Sequence, residues 1–357
     1  MSTQNVTMDS LLEELLGTDN PAAPSAETLA AALAPDAGVE STPWFVKALV
    51  GIAAWVAAIL LGVFFSLLNL IDTGEEMVML GGVILVVAVG LKWWARSAIF
   101  WGQLSFALVL AGEGLILVGI GTISQETTTV AWALLALEAL LFLIYPDALH
   151  RILSLLAMVG ALLVLFYEWH QPQLLHLLIV GAGLGTVAVG QAEFALLSSR
   201  FARFVSPLRY GLAVTLAGLC IFALGDWYGT TAWWISTAGL ALVLLYLVSR
   251  ILRDLEQPLL GPLTLWAVGA IALLCIPAYQ TPGLFAALIL LMVARWRATD
   301  LLLGLATIFL LFFVGAYYYN LNITLLNKSY ILMGSGLALL VAWWGLRRVE
   351  KTVGSIQ

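Results

Sequence analysis

The chain has 357 residues, of which 62% are hydrophobic and 10% are charged, and its formal net charge is -6. Soluble domains are about 45–50% apolar and about 25% charged. These proportions exclude a soluble globular enzyme, a disordered protein and a nucleic-acid-binding protein. They predict a polytopic membrane protein that contacts the lipid bilayer along most of its length.

An acidic arm, residues 1–43, begins the chain. Seven of the 21 acidic residues fall in the first 40 positions, and no Lys or Arg precedes Lys47. A secretory signal peptide needs a positive region before its apolar stretch, so none is predicted here. We expect a partly disordered cytoplasmic arm and insertion into the bacterial inner membrane by the first apolar span.

Twelve apolar spans follow and make residues 44–346 a single transmembrane domain, with a short cytoplasmic tail at 347–357. Their lengths and short connections are typical of membrane-spanning helices that form antiparallel hairpins. We therefore predict an all-α polytopic bundle of about 12 spans. The predicted limits are 44–68, 77–94, 98–121, 128–145, 148–167, 173–195, 207–225, 232–250, 259–277, 282–296, 299–319 and 323–346.

The basic residues predict the orientation of these spans. If the N-terminus is cytoplasmic, fourteen of the 15 Lys and Arg residues lie on the inner side, and only Lys328 lies outside. Such an excess of positive charge is typical of cytoplasmic loops. We therefore expect both termini in the cytoplasm. The inner residues are Lys47, Lys92, Arg96, Arg151, Arg200, Arg203, Arg209, Arg250, Arg253, Arg295, Arg297, Arg347, Arg348 and Lys351.

Two glutamates lie inside predicted spans. A charged side chain at mid-membrane costs about 2.5–3.5 kcal/mol on insertion scales. Glu113 and Glu138 should therefore be protonated, hydrogen-bonded or turned toward a wet cavity. Counted from the turn between the third and fourth spans, Glu113 lies about eight residues deep and Glu138 about ten, so both could face one interior site at a rise of about 1.5 Å per residue.

Lys328 is the candidate partner of these carboxylates. It lies about five residues inside the last span, near Tyr317 and Tyr318, and its depth approaches that of Glu113. A site of Glu113, Glu138 and Lys328 could bind a polar headgroup or relay a proton. The alternative is that the glutamates only hold helices together, while the lysine extends to the outer interface.

Three weaker features remain open. Gly181 and Gly185 form a GxxxG pattern, which favours helix packing over a dimer interface. The group Glu168, His170 and His176 could bind a metal ion, but its spacing matches no established pattern, so a solvated loop is the simpler interpretation and no metal site is predicted. The two cysteines, Cys220 and Cys275, are expected to be buried thiols, although a disulfide is not excluded.

Several short motifs resemble a known family. They are Pro43-Trp44-Phe45, Thr281-Pro282-Gly283-Leu284, Tyr317-Tyr318-Tyr319-Asn320-Leu321 and Leu325-Leu326-Asn327-Lys328-Ser329. Together they resemble the bacterial membrane family of the domain of unknown function DUF4401, over about residues 43–346. The resemblance implies a multi-pass inner-membrane protein, often encoded beside a companion membrane or periplasmic protein with a Gly-Asp-Tyr signature. It implies no activity, substrate or cofactor.

The sequence favours a non-enzymatic subunit or scaffold of a membrane complex. The alternative is a secondary transporter or lipid-handling protein that uses the intramembrane glutamates and lysine. An enzyme is not expected, because the sequence contains no Walker-type loop, GxSxG turn or HExxH helix. No cofactor and no nucleic-acid partner is predicted.

Overall fold

The structure is a computed structural model that describes residues 72–94, 99–225, 232–258, 261–275 and 281–320, together with isolated residues between 49 and 64 and between 329 and 340. Within these ranges every regular element is an α-helix. The arm 1–43, the tail 347–357 and most of the predicted spans 44–68 and 323–346 lie outside the described residues. The all-α prediction is confirmed for the described part of the chain.

Ten helices lie in the described ranges, and each corresponds to one of the ten predicted spans from 77–94 to 299–319. They are α1 (Gly74–Trp94), α2 (Ile99–Ser124), α3 (Thr127–Ile144), α4 (Ala148–Glu168), α5 (Leu174–Leu197), α6 (Ala202–Leu224), α7 (Trp233–Asp254), α8 (Pro262–Cys275), α9 (Pro282–Trp296) and α10 (Asp300–Asn320). Eight of them are long and apolar enough to cross a membrane, whereas α8 and α9 are shorter, at 14 and 15 residues.

Large apolar side chains cover much of the outer surface of the bundle. Val86 is 75% exposed and Phe194 is 84% exposed. A soluble monomer rarely exposes so much contiguous apolar surface. The helices and their exposed apolar faces identify the chain as a helical membrane protein.

The interior contains two main apolar clusters. The larger one joins α5 to α10 around α9, in which ten of the 15 residues are buried. The smaller one joins α1, α2 and α3 around Leu85, Val109 and Tyr145. Helix α4 packs against α3 on one side and against α5 and α6 on the other. It therefore connects the two parts of the bundle.

Glycine packing in α5 differs from the prediction. Gly181 is exposed, and a Cβ added there meets nothing within 4 Å, so none of the described helices packs against it. Gly183 is buried, and its added Cβ would lie 2.6 Å from Leu240 of α7. At Gly185 the nearest atom of Leu212 in α6 is 3.4 Å away. The helix rotates Gly183 rather than Gly181 toward its neighbours.

Helix α6 begins at Ala202, five residues before the predicted limit at 207. The prediction started at Pro207 because proline usually opens a helix, but here it lies inside one. Proline has no N–H, so the carbonyl of Arg203 one turn earlier has no partner within α6. The guanidinium of Arg151 in α4 donates to this carbonyl through Nη1, at 3.3 Å.

The two cysteines are not bonded to each other. Both are free thiols, with Cys220 buried and Cys275 partly buried. Cys220 belongs to the larger cluster and Cys275 packs against it. The prediction of two buried thiols therefore holds for Cys220 and only partly for Cys275.

Candidate functional site

A Tyr-Pro-Asp turn between α3 and α4 positions the first part of the site. Tyr145, which precedes Pro146, is extended at φ -80° and ψ 117°, as residues before proline prefer, and this ends α3. Asp147 then caps α4 by accepting from the amides of Leu149, at 3.0 Å, and His150, at 3.1 Å. The turn thus fixes His150 in the first turn of α4.

Glycines that bring α1 and α2 into close contact position the second part. A Cβ added to Gly112 would lie 2.9 Å from the carbonyl oxygen of Gly81, and one added to Gly81 would lie 2.8 Å from that of Gly112. Gly74 and Gly119 meet in the same way, seven residues earlier in α1 and seven residues later in α2. Because Gly112 contacts α1, the next residue, Glu113, projects from a different face of α2.

Glu113, Glu138 and His150 meet in the interior, and we call them the triad. The exposed fraction is 5% for each glutamate and 1% for the histidine. His150 Nε2 lies 2.7 Å from Glu113 Oε1. One ligand atom from each of the three residues lies within 4.8 Å of the others. One oxygen of Glu138, Oε2, is buried and has no hydrogen-bond partner.

The second nitrogen of His150 is also held. Its Nδ1 lies 3.1 Å from the hydroxyl oxygen of Ser154, which is one turn further along α4 and fully buried. Residues four apart lie on the same face of a helix, so this contact fixes the plane of the imidazole ring. The ring therefore keeps Nε2 directed toward Glu113.

Aromatic rings separate the triad from the end of the bundle. Tyr145 and Phe106 meet the imidazole ring edge to face, at centroid distances of 4.9 Å and 6.3 Å. The hydroxyl of Ser105 donates to the Ala88 carbonyl at 2.7 Å, so the Tyr145 hydroxyl donates to Ser105 at 2.9 Å. Burial raises the pKa of Tyr145, which keeps this phenol neutral.

An ion pair lies at the solvent end of this wall. Lys92 Nζ donates to Asp147 Oδ2 at 2.7 Å, and the two side chains are 19% and 22% exposed. Burial alone would raise the pKa of Asp147, but the bond from Lys92 and the amides of His150 and Leu149 outweigh it and lower that pKa. The ion pair therefore stays charged, with Asp147 three residues before His150 in the chain.

The triad can bind a cation. Two carboxylates and a neutral imidazole carry two negative charges, which the apolar interior tolerates only when they are balanced. Protons or a metal ion can provide that balance, since carboxylate oxygen and imidazole nitrogen are both ligands of divalent metals.

The structure brings together Glu113 and Glu138 but not every residue of the predicted site. Lys328 lies outside the described residues. Tyr317 lies in α10 and packs against the larger cluster, while the triad lies in α2, α3 and α4. Tyr318 is also in α10. The sequence singled out the two glutamates and missed His150, although a His after a Pro-Asp cap, with Ser154 four residues on, was a readable signal.

The residues Glu168, His170 and His176 do not form a metal-binding group. All three are described, yet the only group of three such ligands within reach of one another in the described residues is the triad. His176 is fully buried, and its Nδ1 lies 3.1 Å from the Ser236 hydroxyl in α7. It therefore joins α5 to α7 and does not face the loop that holds Glu168 and His170.

Comparison with known proteins gives one match. The family described as domain of unknown function (DUF4401) matches residues 43–349. No curated protein and no solved structure matches the chain. The match covers all ten described helices.

Proposed function

We propose that this chain, which belongs to the DUF4401 family, is a secondary transporter that exchanges protons for another cation at the triad. The observation that carries the proposal is the direct contact of Glu113 and His150 beside Glu138 in a nearly dry interior. Ionisable side chains inside a membrane are costly, and those that persist usually line ion pathways or proton relays.

Packing alone does not account for the triad. The helices around it are already joined by apolar contacts and by the glycine contacts of α1 and α2. A carboxylate oxygen without a hydrogen-bond donor, such as Glu138 Oε2, stabilises nothing in the absence of a bound cation. A site that takes up and releases cations explains why such a group is kept.

We propose that protons reach the triad from one side of the membrane. His150 lies in the first turn of α4, and the partly exposed ion pair of Lys92 and Asp147 marks the end of the bundle next to it. We place this end at the cytoplasm, because Lys92, Arg96 and Arg151 belong to the positive side of the predicted topology. We further propose the bacterial inner membrane, twelve spans and cytoplasmic termini.

The proposed exchange converts no substrate into a product, so we propose no enzymatic activity. The rival interpretation is a subunit or scaffold that binds a companion membrane or periplasmic protein. It predicts that neutral variants of the triad behave as the wild type does and that a partner is recovered after purification in mild detergent.

Inside-out membrane vesicles provide the test. Vesicles from cells that overproduce the chain are acidified by respiration and monitored with acridine orange while Na⁺, K⁺, Mg²⁺, Ca²⁺, Mn²⁺ or Zn²⁺ is added. We expect at least one of these cations to release the internal protons with the wild type, and not with Glu113→Gln or Glu138→Gln. Glu168→Gln, which neutralises an exposed glutamate, is the matched control and should behave as the wild type does.

Two results would refute the proposal. One is a wild-type signal equal to that of vesicles without the chain for all six cations. The other is full activity of both glutamine variants. In either case the subunit or scaffold interpretation would replace the transporter.

A further inference from the structure

We propose that the triad binds one divalent transition-metal ion, represented by Zn²⁺ and Mn²⁺. This inference rests on the proposed function, because it names the cation that is exchanged for protons. It concerns the chemistry of Glu113, Glu138 and His150 and of the serine behind them.

The ligand set indicates the class of metal. One imidazole nitrogen and two carboxylate oxygens suit Zn²⁺, Mn²⁺ and Fe²⁺, whereas Mg²⁺ and Ca²⁺ prefer oxygen ligands alone. Monovalent cations would balance only one of the two carboxylate charges. The triad therefore favours a divalent transition metal over the abundant cations of the cell.

The distances fit this class after small side-chain rotations. With bonds of about 2.0–2.2 Å, ligand atoms of one ion lie about 3–4 Å apart. The three ligand atoms of the triad lie within 4.8 Å of one another, and the closest pair is 2.7 Å apart. The Glu113–His150 contact must open slightly, and Glu138 must approach.

Glu138 provides the second observation, because one oxygen of its buried carboxylate has no partner. Its exposed fraction is 5%, and Oε2 has no hydrogen-bond partner. A metal ion between the three side chains would give this oxygen the partner that it lacks.

Ser154 completes the arrangement behind the histidine. Metal-bound imidazoles usually donate their other N–H to a fixed acceptor, which sets the tautomer and the ring plane. The Ser154 hydroxyl oxygen lies 3.1 Å from His150 Nδ1 and can accept from it. This leaves Nε2 with the free electron pair that a metal requires. Ser154 is thus a positioning residue for the site.

The charge of the ion also fits the site. Two carboxylates and a neutral imidazole carry two negative charges, which one divalent ion balances in the apolar interior.

Calorimetry on the detergent-purified full chain tests the inference, with Zn²⁺ as the probe. Titrations give the stoichiometry and the affinity. We expect one Zn²⁺ per chain at neutral pH, with little competition from millimolar Mg²⁺. Exposed His170 offers the matched control, because His170→Gln removes a histidine outside the triad and should change neither number.

Variants assign the binding to the triad. His150→Gln and Glu138→Gln should weaken Zn²⁺ binding by more than about 100-fold, and Ser154→Ala by about 10–100-fold, as expected for a ligand and for its outer partner. Glu138→Asp keeps the charge but withdraws the oxygen, so it should also weaken binding even if a neutral variant does not fold. Size-exclusion profiles establish which variants are folded.

The outcomes separate this inference from the proposed function. No Zn²⁺ binding by the folded wild type, or unchanged affinity in Glu138→Asp, would overturn the metal site. If Na⁺ or K⁺ drives proton release from vesicles and Zn²⁺ and Mn²⁺ do not, the transporter stands and the metal is wrong. If Zn²⁺ binds as expected but no cation is exchanged, the metal site stands and transport is wrong.

Discussion

Replacing the buried Arg151 with methionine should destabilise the bundle more than replacing a charged residue at the surface of the bundle does. This side chain is 3% exposed and meets two backbone carbonyls that prolines leave without partners. Its Nε donates to the carbonyl of Phe142 at 2.9 Å, and its Nη1 donates to the carbonyl of Arg203 at 3.3 Å. The residues four positions later, Pro146 and Pro207, have no N–H to donate to these carbonyls.

The magnitude follows from these two hydrogen bonds. Hydrogen bonds from a charged donor contribute about 1.5–3 kcal/mol each, so Arg151→Met should lower the free energy of unfolding by about 3–6 kcal/mol. Methionine retains much of the apolar contact with Phe204, whose ring centre lies 4.5 Å from the guanidinium carbon. The loss of stability therefore reports the two carbonyls left without a hydrogen-bond donor, rather than a cavity.

Pro207→Ala makes the prediction specific. Alanine restores an N–H that can bond to the Arg203 carbonyl within α6, so Arg151 then has only Phe142 to satisfy. In this background Arg151→Met should cost about 1–3 kcal/mol less than in the wild type. Arg203→Met is the matched control, because Arg203 also lies over the Phe204 ring, at 4.8 Å, but is exposed. It should change stability by less than about 0.5 kcal/mol.

Unfolding by sodium dodecyl sulfate, in protein purified in mild detergent, gives the required free energies. A thiol-reactive dye can report it in a Cys275→Ala background, since Cys220 is only 1% exposed in the folded chain. If Arg151→Met lowers the free energy of unfolding equally in the wild type and in the Pro207→Ala background, to within about 0.5 kcal/mol, the arginine does not act by bonding to carbonyls that prolines leave without partners.

Three further predictions use the same unfolding assay. Asp147→Asn keeps an N-cap but loses the ion pair with Lys92. Since the pKa of Asp147 is lowered in the folded state, the wild type should lose the stability of this pair as the pH falls below about 3.9. The variant should show no such pH-dependent loss. Ala298→Gly should stabilise by about 1 kcal/mol, because φ at Ala298 is 49°, and a neutral or negative change would contradict this. Gly112→Ala should destabilise the chain and weaken Zn²⁺ binding, because its Cβ would meet Gly81. Gly114→Ala should do neither, because its Cβ meets nothing within 4 Å. Equal effects of the two variants would contradict the close contact of α1 and α2.

The helix limits were predictable because local chemistry fixes them. Apolar runs of membrane-spanning length, interrupted by Pro, Gly and charged residues, mark helix ends wherever lipid forbids open backbone. α1 ends at Trp94, and α9 spans 282–296, both as predicted. The predicted start of α6 was wrong because of a tertiary contact. Pro207 is tolerated inside the helix because Arg151, from α4, donates a hydrogen bond to the Arg203 carbonyl that the proline leaves without a partner.

The candidate site was predictable in depth but not in composition. The rise per residue placed Glu113 and Glu138 at similar depths, and one ligand atom of each lies within 4.8 Å of the other. His150 was missed because it lies at the start of the next helix, and its approach to Glu113 depends on how α4 rotates against α2. Rotation is set by contacts such as Gly112 with Gly81, which no periodicity in the sequence indicates.

The Tyr-Pro-Asp turn links stability to the proposed exchange. Pro146 ends α3 and leaves the Phe142 carbonyl for Arg151, while Asp147 begins α4 and orients His150. His150 and Arg151 are adjacent, so they lie about 100° apart around α4: one reaches the glutamates and the other reaches α6. Any movement of α4 that opens the Glu113–His150 contact must therefore also strain the bonds of Arg151. In the proposed exchange, the free energy of those bonds would therefore oppose any opening of the triad that moves α4.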